Sequence, residues 1–342
     1  MLQAMNLGFG NTNANSATPS GGTPAWGRPL FLLVISLVFT ASFIMSIFTP
    51  CVLALLLLMH GRLQGTLLIL CGATATFFYG TKLLPGSMVF YSYLTSALLA
   101  YLIAEVIYRK LHPLRGLMVC GSILVVVAGL MLGALSLSLP AGLSGELEKK
   151  IGEFSSKLKT DEGKNLGLQS EDKKVLLETF ANPKELTKDI LAGLPFTLFI
   201  SIFFALWTNL GLLLRGPYLF AAHISYPFTI RDLLHFKTPD VMIWPLIAVL
   251  LLMLLEPYVW PNVAMIVGKN LLFCFGVFYF FQGFGIFVEL LTLLKIEGIF
   301  RSLLIILTVI TSYWILALVG LFDMWVDFRK LISKKLDRGD TI

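Results

Sequence analysis

The chain has 342 residues, 57% of them hydrophobic and only 13% charged, with a formal net charge of +6 and a mean hydropathy of +0.83. An ordinary soluble domain carries about 25% charged residues, so the composition excludes a water-soluble globular protein. The basic residues sit in short clusters beside apolar runs instead of forming one patch, which fits membrane topology signals and excludes nucleic acid as a partner.

Residues 1–28 are rich in Gly, Asn, Ser, Thr and Pro, with Arg28 the only charge. Such a stretch cannot bury enough apolar surface to order itself, and it lacks the basic start of a secretory signal. It is expected to be a disordered tail. The first transmembrane half, 29–140, follows, with apolar segments at 29–49, 51–60, 64–80, 86–108 and 115–139. Pro50 separates the first two. The ten-residue second segment is too short to span alone, since a crossing helix needs roughly 20 apolar residues.

A polar insertion, 141–190, carries nine lysines and ten acidic residues. Leu147, Ile151, Phe154 and Leu158 share one helix face. Asn182-Pro183-Lys184-Glu185 has the residues of a helix start, with Asn at the N-cap and Pro in the first turn. The insertion is read as amphipathic helices outside the membrane. The second half, 191–330, has apolar segments at 191–214, 240–255, 263–294 and 299–323, and prolines 217, 227 and 239 punctuate a non-spanning stretch at 215–239. A basic tail, 331–342, ends the chain.

The fold class is therefore all-α, a polytopic transmembrane helical bundle; the alternating segments of a barrel do not occur. Lys and Arg in short loops mark the cytoplasmic side. Arg109, Lys110 and Arg115 flank one turn, and Arg329, Lys330, Lys334, Lys335 and Arg338 form the end of the chain. Both belong inside, so an even number of crossings must separate them. Pro257 and Pro261 break the weakest segment, so 240–267 is expected to be broken or re-entrant. That reading gives about eight crossings, with both termini inside and 141–190 outside.

Polar groups at membrane depth face the bundle interior or a water-filled cavity. Glu105 and Arg109 have the spacing of an interfacial pair. Asn209 lies in FALWTNLGLLLR, near Ser201 and Thr208 on the same helix. Gln282 and Glu289 are seven apart, on one face with roughly 10.5 Å of rise between them. Gly283 and Gly285 thin the helix beside them. Gly129 and Gly133 form a helix-packing pair. The four cysteines lie singly, so neither a disulfide framework nor a thiolate metal site is indicated. No catalytic motif or metal-ligand cluster occurs around the four histidines. The expectation is a protein that is not an enzyme and needs no cofactor or metal.

The last span ends in Gly320 to Lys330, GLFDMWVDFRK. On a continued helix Asp323 and Asp327 share one face, and Trp325 and Arg329 another. Trp325 suits the headgroup boundary, with Arg329 stacked on it or reaching lipid phosphate. Asp323 at the hydrocarbon edge needs a partner. Arg109, Arg215 and Lys269 are the expected cations, making Asp323 a structural clasp.

Several features in order resemble the YybS-like family of bacterial inner-membrane proteins. They are Leu194-Pro195 at a helix start, Pro239 with Trp244, Asn270, Gln282-Gly283, Arg301 and the terminal GLxDxWxDFR from Gly320 to Arg329. The resemblance covers roughly 190–330. It implies a distant similarity to the substrate-binding S components of energy-coupling-factor transporters, and so a small-molecule cavity in a helical bundle. S components dock on a coupling partner through alanines four apart on the first helix; here that helix offers Ser36 and Thr40. The function expected is binding or transport of a small molecule across the lipid bilayer. Gln282, Glu289, Asn270, Asn209 and Glu256 are the expected substrate-binding residues, the amides as hydrogen-bonding groups and the carboxylates as cation or proton sites. The alternative is a scaffold that recruits a membrane-protein partner through 141–190 and the basic tail.

Overall fold

The computed structural model describes residues 27–42, 44–83, 88–159, 178–180, 182–220 and 223–337. The expected N-terminal tail, apart from its last two residues, and the centre of the polar insertion lie outside them. All regular structure among the described residues is helical.

The first half comprises α1 (Gly27–Ala41), α2 (Thr49–Leu83), α3 (Met88–Tyr108) and α4 (Pro113–Ser138). Pro50 is not a separator. It sits in the first turn of α2, where its missing N–H leaves no bond unmade. The expected segments 51–60 and 64–80 are two helical arms of α2 joined by non-helical backbone at Gly61 (φ 80°, ψ 168°), where the chain bends so sharply that a Cβ on Gly65 would stand 2.9 Å from the Leu57 Cα. The short segment is the most deeply buried part of the fold: Leu53, Ala54 and Leu56 are fully enclosed. Beyond the kink Arg62 pairs with Glu105 at 2.9 Å, and Glu105 also holds Arg109 at 2.5 Å.

The amphipathic helix α5 (Gly142–Lys159) packs Ile151 and Ser155 inward. Then α6 (Pro183–Arg215) begins at the expected proline, although Asn182 caps no backbone group and bonds Glu185 instead. The surface helix and the following span are one element, so Pro195 lies inside a helix and not at its start. The remaining elements are α7 (Ile230–Leu234), α8 (Ile243–Leu254), α9 (Glu256–Val259), α10 (Val263–Leu293), α11 (Gly298–Thr311), α12 (Tyr313–Val326) and α13 (Phe328–Asp337).

Five helices, α2, α3, α4, α6 and α10, are long and apolar enough to cross a membrane, and α11 with α12 is a sixth candidate bent by 92°. Two shorter apolar helices, α1 and α8, remain. Eight separate spanning helices are not seen. The 51–60 and 64–80 segments count together as one candidate span bent at Gly61, the first and the 240–255 segments give helices of only 15 and 12 residues, and the last breaks at Ser312.

The core is organised around α6 and α10. Phe196 meets Phe273 at 4.9 Å, Phe203 meets Phe278 at 5.5 Å, and Trp207 stacks on Phe281 at 5.2 Å. The contacts advance together, so the two helices run parallel. Gly121 of α4 faces Phe203, and Leu117 lies with Leu206 and Leu210, so α4 runs the other way. The Pro113 end of α4, the Arg215 end of α6 and the Leu293 end of α10 thus share one side of the bundle. Tyr226 donates to the Leu111 carbonyl at 2.7 Å and ties residues 223–229 to that side. Arg301 of α11 bonds the Val288 carbonyl and the Thr292 hydroxyl, while Phe328 and Ile332 pack with Ile286 and Leu293. Both ends of the α11–α12 pair therefore lie beside the same stretch of α10, and the pair enters and returns on one side. Among the described residues, nothing packs against Gly129 or Gly133: a Cβ at either meets no atom within 4 Å.

Candidate functional site

Between α7 and α8, residues 235–239 run along the bundle without regular structure before a short 3-10 turn at Asp240–Met242. A Thr229–Asp232 capping box starts α7, and hydrogen bonding from the Thr229 backbone holds the Asp232 carboxyl below its ordinary value. The helix stops after five residues. Phe236 and Thr238 are then buried against α10, with Phe236 ring to ring with Phe278 and Phe281. Irregular backbone at membrane depth survives only where protein supplies its hydrogen bonds. Two side chains do so. Arg329 Nη2 donates to the Leu234 carbonyl at 3.0 Å, and the Thr238 N–H donates to Gln282 Oε1 at 2.9 Å. Pro239 has no N–H to satisfy.

Gln282 is fully enclosed. Its Nε2 donates to Asp323 Oδ2 at 2.9 Å, and Asp323 Oδ1 accepts the Phe328 N–H at 2.7 Å. Arg329 Nη2 also reaches the Gln282 carbonyl at 3.3 Å. Glu289 Oε1 lies 3.9 Å from Arg329 Nε and 3.4 Å from His235 Nε2. One connected network thus joins α7, the irregular segment, α10, α12 and α13. Backbone closeness makes it reachable. A Cβ on Gly283 would stand 1.8 Å from the Leu316 carbonyl oxygen, one on Gly320 1.9 Å from that of Tyr279, and one on Gly285 2.1 Å from that of Leu234.

Asp323 is therefore held by the Gln282 amide and a backbone N–H, and not by Arg109, Arg215 or Lys269. The clasp and the expected Gln282–Glu289 centre are one cluster. Asp327 takes a left-handed conformation (φ 52°) that ends α12, so Asp323 and Asp327 do not share a helix face. Asp327 pairs instead with Lys330. The same reversal turns Arg329 inward, away from Trp325, whose side chain remains largely exposed.

The other expected residues lie apart. Asn209 is fully enclosed and serves the start of α2: its Oδ1 accepts the Cys51 N–H at 2.8 Å, and its Nδ2 donates to the Ile47 carbonyl at 2.9 Å. Asn270 spans the turn around Pro195. It accepts from the Phe196 N–H at 2.9 Å and donates to the Ala192 carbonyl at 2.7 Å, a donor and acceptor that pair with each other in an unbroken α-helix. Glu256 accepts the N–H of Asn262 at 2.6 Å, steadying that left-handed residue (φ 66°). All three bond backbone at an irregularity in a helix.

Beside the network lies a cleft of about 650 Å³, walled by α6, α8, α10, α11 and α12. Its lining is almost wholly apolar, including Phe204, Leu246, Phe273, Gly276, Phe280 and Leu318. None of the five expected polar residues lines it. The residues that sequence reasoning missed are Thr238 and His235 in the irregular segment and the α10 face from Leu272 to Phe281. Thr-Pro between two apolar stretches was the available signal for the first.

A family model described as "Predicted membrane protein (DUF2232)" matches residues 30–324. No curated protein and no solved structure matches the chain.

Proposed function

The chain belongs to the DUF2232 family of predicted membrane proteins, and on that premise we propose that it binds a small molecule within the membrane, as a transporter-like protein of the YybS type in the bacterial inner membrane. The observation that carries this reading is the cleft of about 650 Å³ bounded by two interrupted elements, the 235–254 stretch and the α11–α12 pair. Ligand sites lie mostly within about 300–1,000 Å³, and transporters of several folds build theirs beside broken helices. The Gln282–Asp323–Arg329 network is the frame that holds both interruptions in place. Of the expected polar residues, Glu289 keeps the most freedom to act, since its Oε1 is approached by Arg329 and His235 without a hydrogen bond to either. The positive-inside rule puts the face with Arg109, Arg215 and Arg329 in the cytoplasm.

Native mass spectrometry of the detergent-purified protein tests the reading. A reproducible small-molecule adduct is expected. A bare chain from gentle detergents and from nanodiscs alike would favour the scaffold, which draws support from the complete enclosure of Gln282.

A further inference from the structure

The cleft runs along α10 from Leu272 to Phe281, about 14 Å at 1.5 Å per residue. Its walls offer almost no polar atom, so hydrogen bonding cannot select what enters. Lys269 stands near its end. Lys269 precedes Leu272, Phe273, Gly276 and Phe280 by three, four, seven and eleven positions. That spacing puts it on the same helix face as the lining. Lys269 is exposed, and no ion pair to it occurs among the described residues. A long lysine stem can lie along apolar surface while its ammonium reaches the interface. The cleft and its lysine together match a molecule with an apolar chain and an anionic head.

Resting on the small-molecule reading above, we propose that the cleft takes one acyl chain of an anionic lipid, with Lys269 engaging the lipid's headgroup. The chain lies against Phe273, Gly276 and Phe280 of α10 and Leu318 of α12. The headgroup sits at the α10 end nearer Val263, the side opposite the Gln282–Arg329 network. Affinity comes from the apolar walls, and preference among lipids from Lys269.

The test uses the full chain in nanodiscs doped with a diazirine-tailed phosphatidylglycerol or, separately, the same tail on phosphatidylcholine. Photolabelled peptides are then mapped. Labelling should concentrate on 269–281 and 309–321 and favour phosphatidylglycerol. Gly276→Phe fills open space, since a Cβ there meets nothing within 4 Å, and it should cut cleft labelling by about tenfold, the factor for about 1.4 kcal/mol. Lys269→Gln, at an exposed site, should leave phosphatidylcholine labelling unchanged and abolish the preference for phosphatidylglycerol. Labelling spread evenly over the lipid-facing helices, equal in wild type and Gly276→Phe, overturns the proposal, as does an absent headgroup preference in wild type. If a co-purifying adduct survives Gly276→Phe, the lipid assignment falls while small-molecule binding stands. If no adduct is found in any form and labelling is uniform, both fall.

Discussion

Gln282 has the most demanding position of any single residue here. Its amide oxygen and nitrogen each answer a buried group, the Thr238 N–H and the Asp323 carboxylate. An unsatisfied buried polar group costs about 1–3 kcal/mol, more if charged. Gln282→Leu keeps the volume and removes both bonds, so it should destabilise the protein by about 2–4 kcal/mol. Thermal unfolding followed by tryptophan fluorescence in detergent measures this, and Gln282→Glu, which keeps an acceptor but sets a second carboxylate against Asp323, should not rescue it. The importance of Gln282 and Asp323 was legible in the sequence, because an amide and a carboxylate in apolar surroundings need partners. Their pairing with each other was not. It depends on the left-handed turn at Asp327, and an aspartate at that position gives no strong signal for φ > 0, which favours glycine.

The elements show where periodicity suffices and where it fails. Long apolar runs marked α3, α4 and α10 within a few residues, since a twenty-residue run leaves little choice. Prolines were harder to read. Pro183 and Pro50 both stand in a first turn, whereas Pro195 is accommodated inside α6 because Asn270, 74 positions beyond Phe196, serves the turn around it. No local pattern reports such a distant partner. The α10–α12 contact is set by Gly283 and Gly320, whose neighbours are main-chain carbonyls that cannot give way. Gly283→Leu should therefore detach α12 without unfolding α6 or α10. Hydrogen exchange read by mass spectrometry should show lost protection confined to 298–332; uniform loss across the chain would contradict this arrangement.

For the whole molecule, the contacts place the turn at Arg109 and the C-terminal helix on one side of the bundle and the start of α6 on the other. In a cysteine-free background, single cysteines at positions 110 and 334 should react with a membrane-impermeant maleimide from the same side, and one at 184 from the opposite side. Labelling of 110 and 334 from different sides would mean that α11 and α12 cross after all. The even number of crossings expected between the two basic clusters followed from charge alone. Which segment turns back did not, because 240–255 and 299–323 are both apolar and both interrupted. The difference lies in their anchoring, with 298–326 fastened at both ends to Ile286–Leu293 and the 235–254 stretch passing Gln282 and ending beside Gly268, where Met253 packs.

Helix α11 contributes a wall to the cleft through Val309, yet none of its 14 residues is buried. It runs between Gly298, with a left-handed φ of +67°, and the non-helical Ser312. It is held by the Arg301 bonds near its start and by Ile305 and Val309, which pack against Phe284, Val288 and Leu316. The opposite wall is tied more densely, α6 to α10, by Asn270 and the paired aromatics. Under the proposed binding reading, α11 is the wall with the least buried surface to give up when the cleft widens, and the α6–α10 pair is the wall with the most.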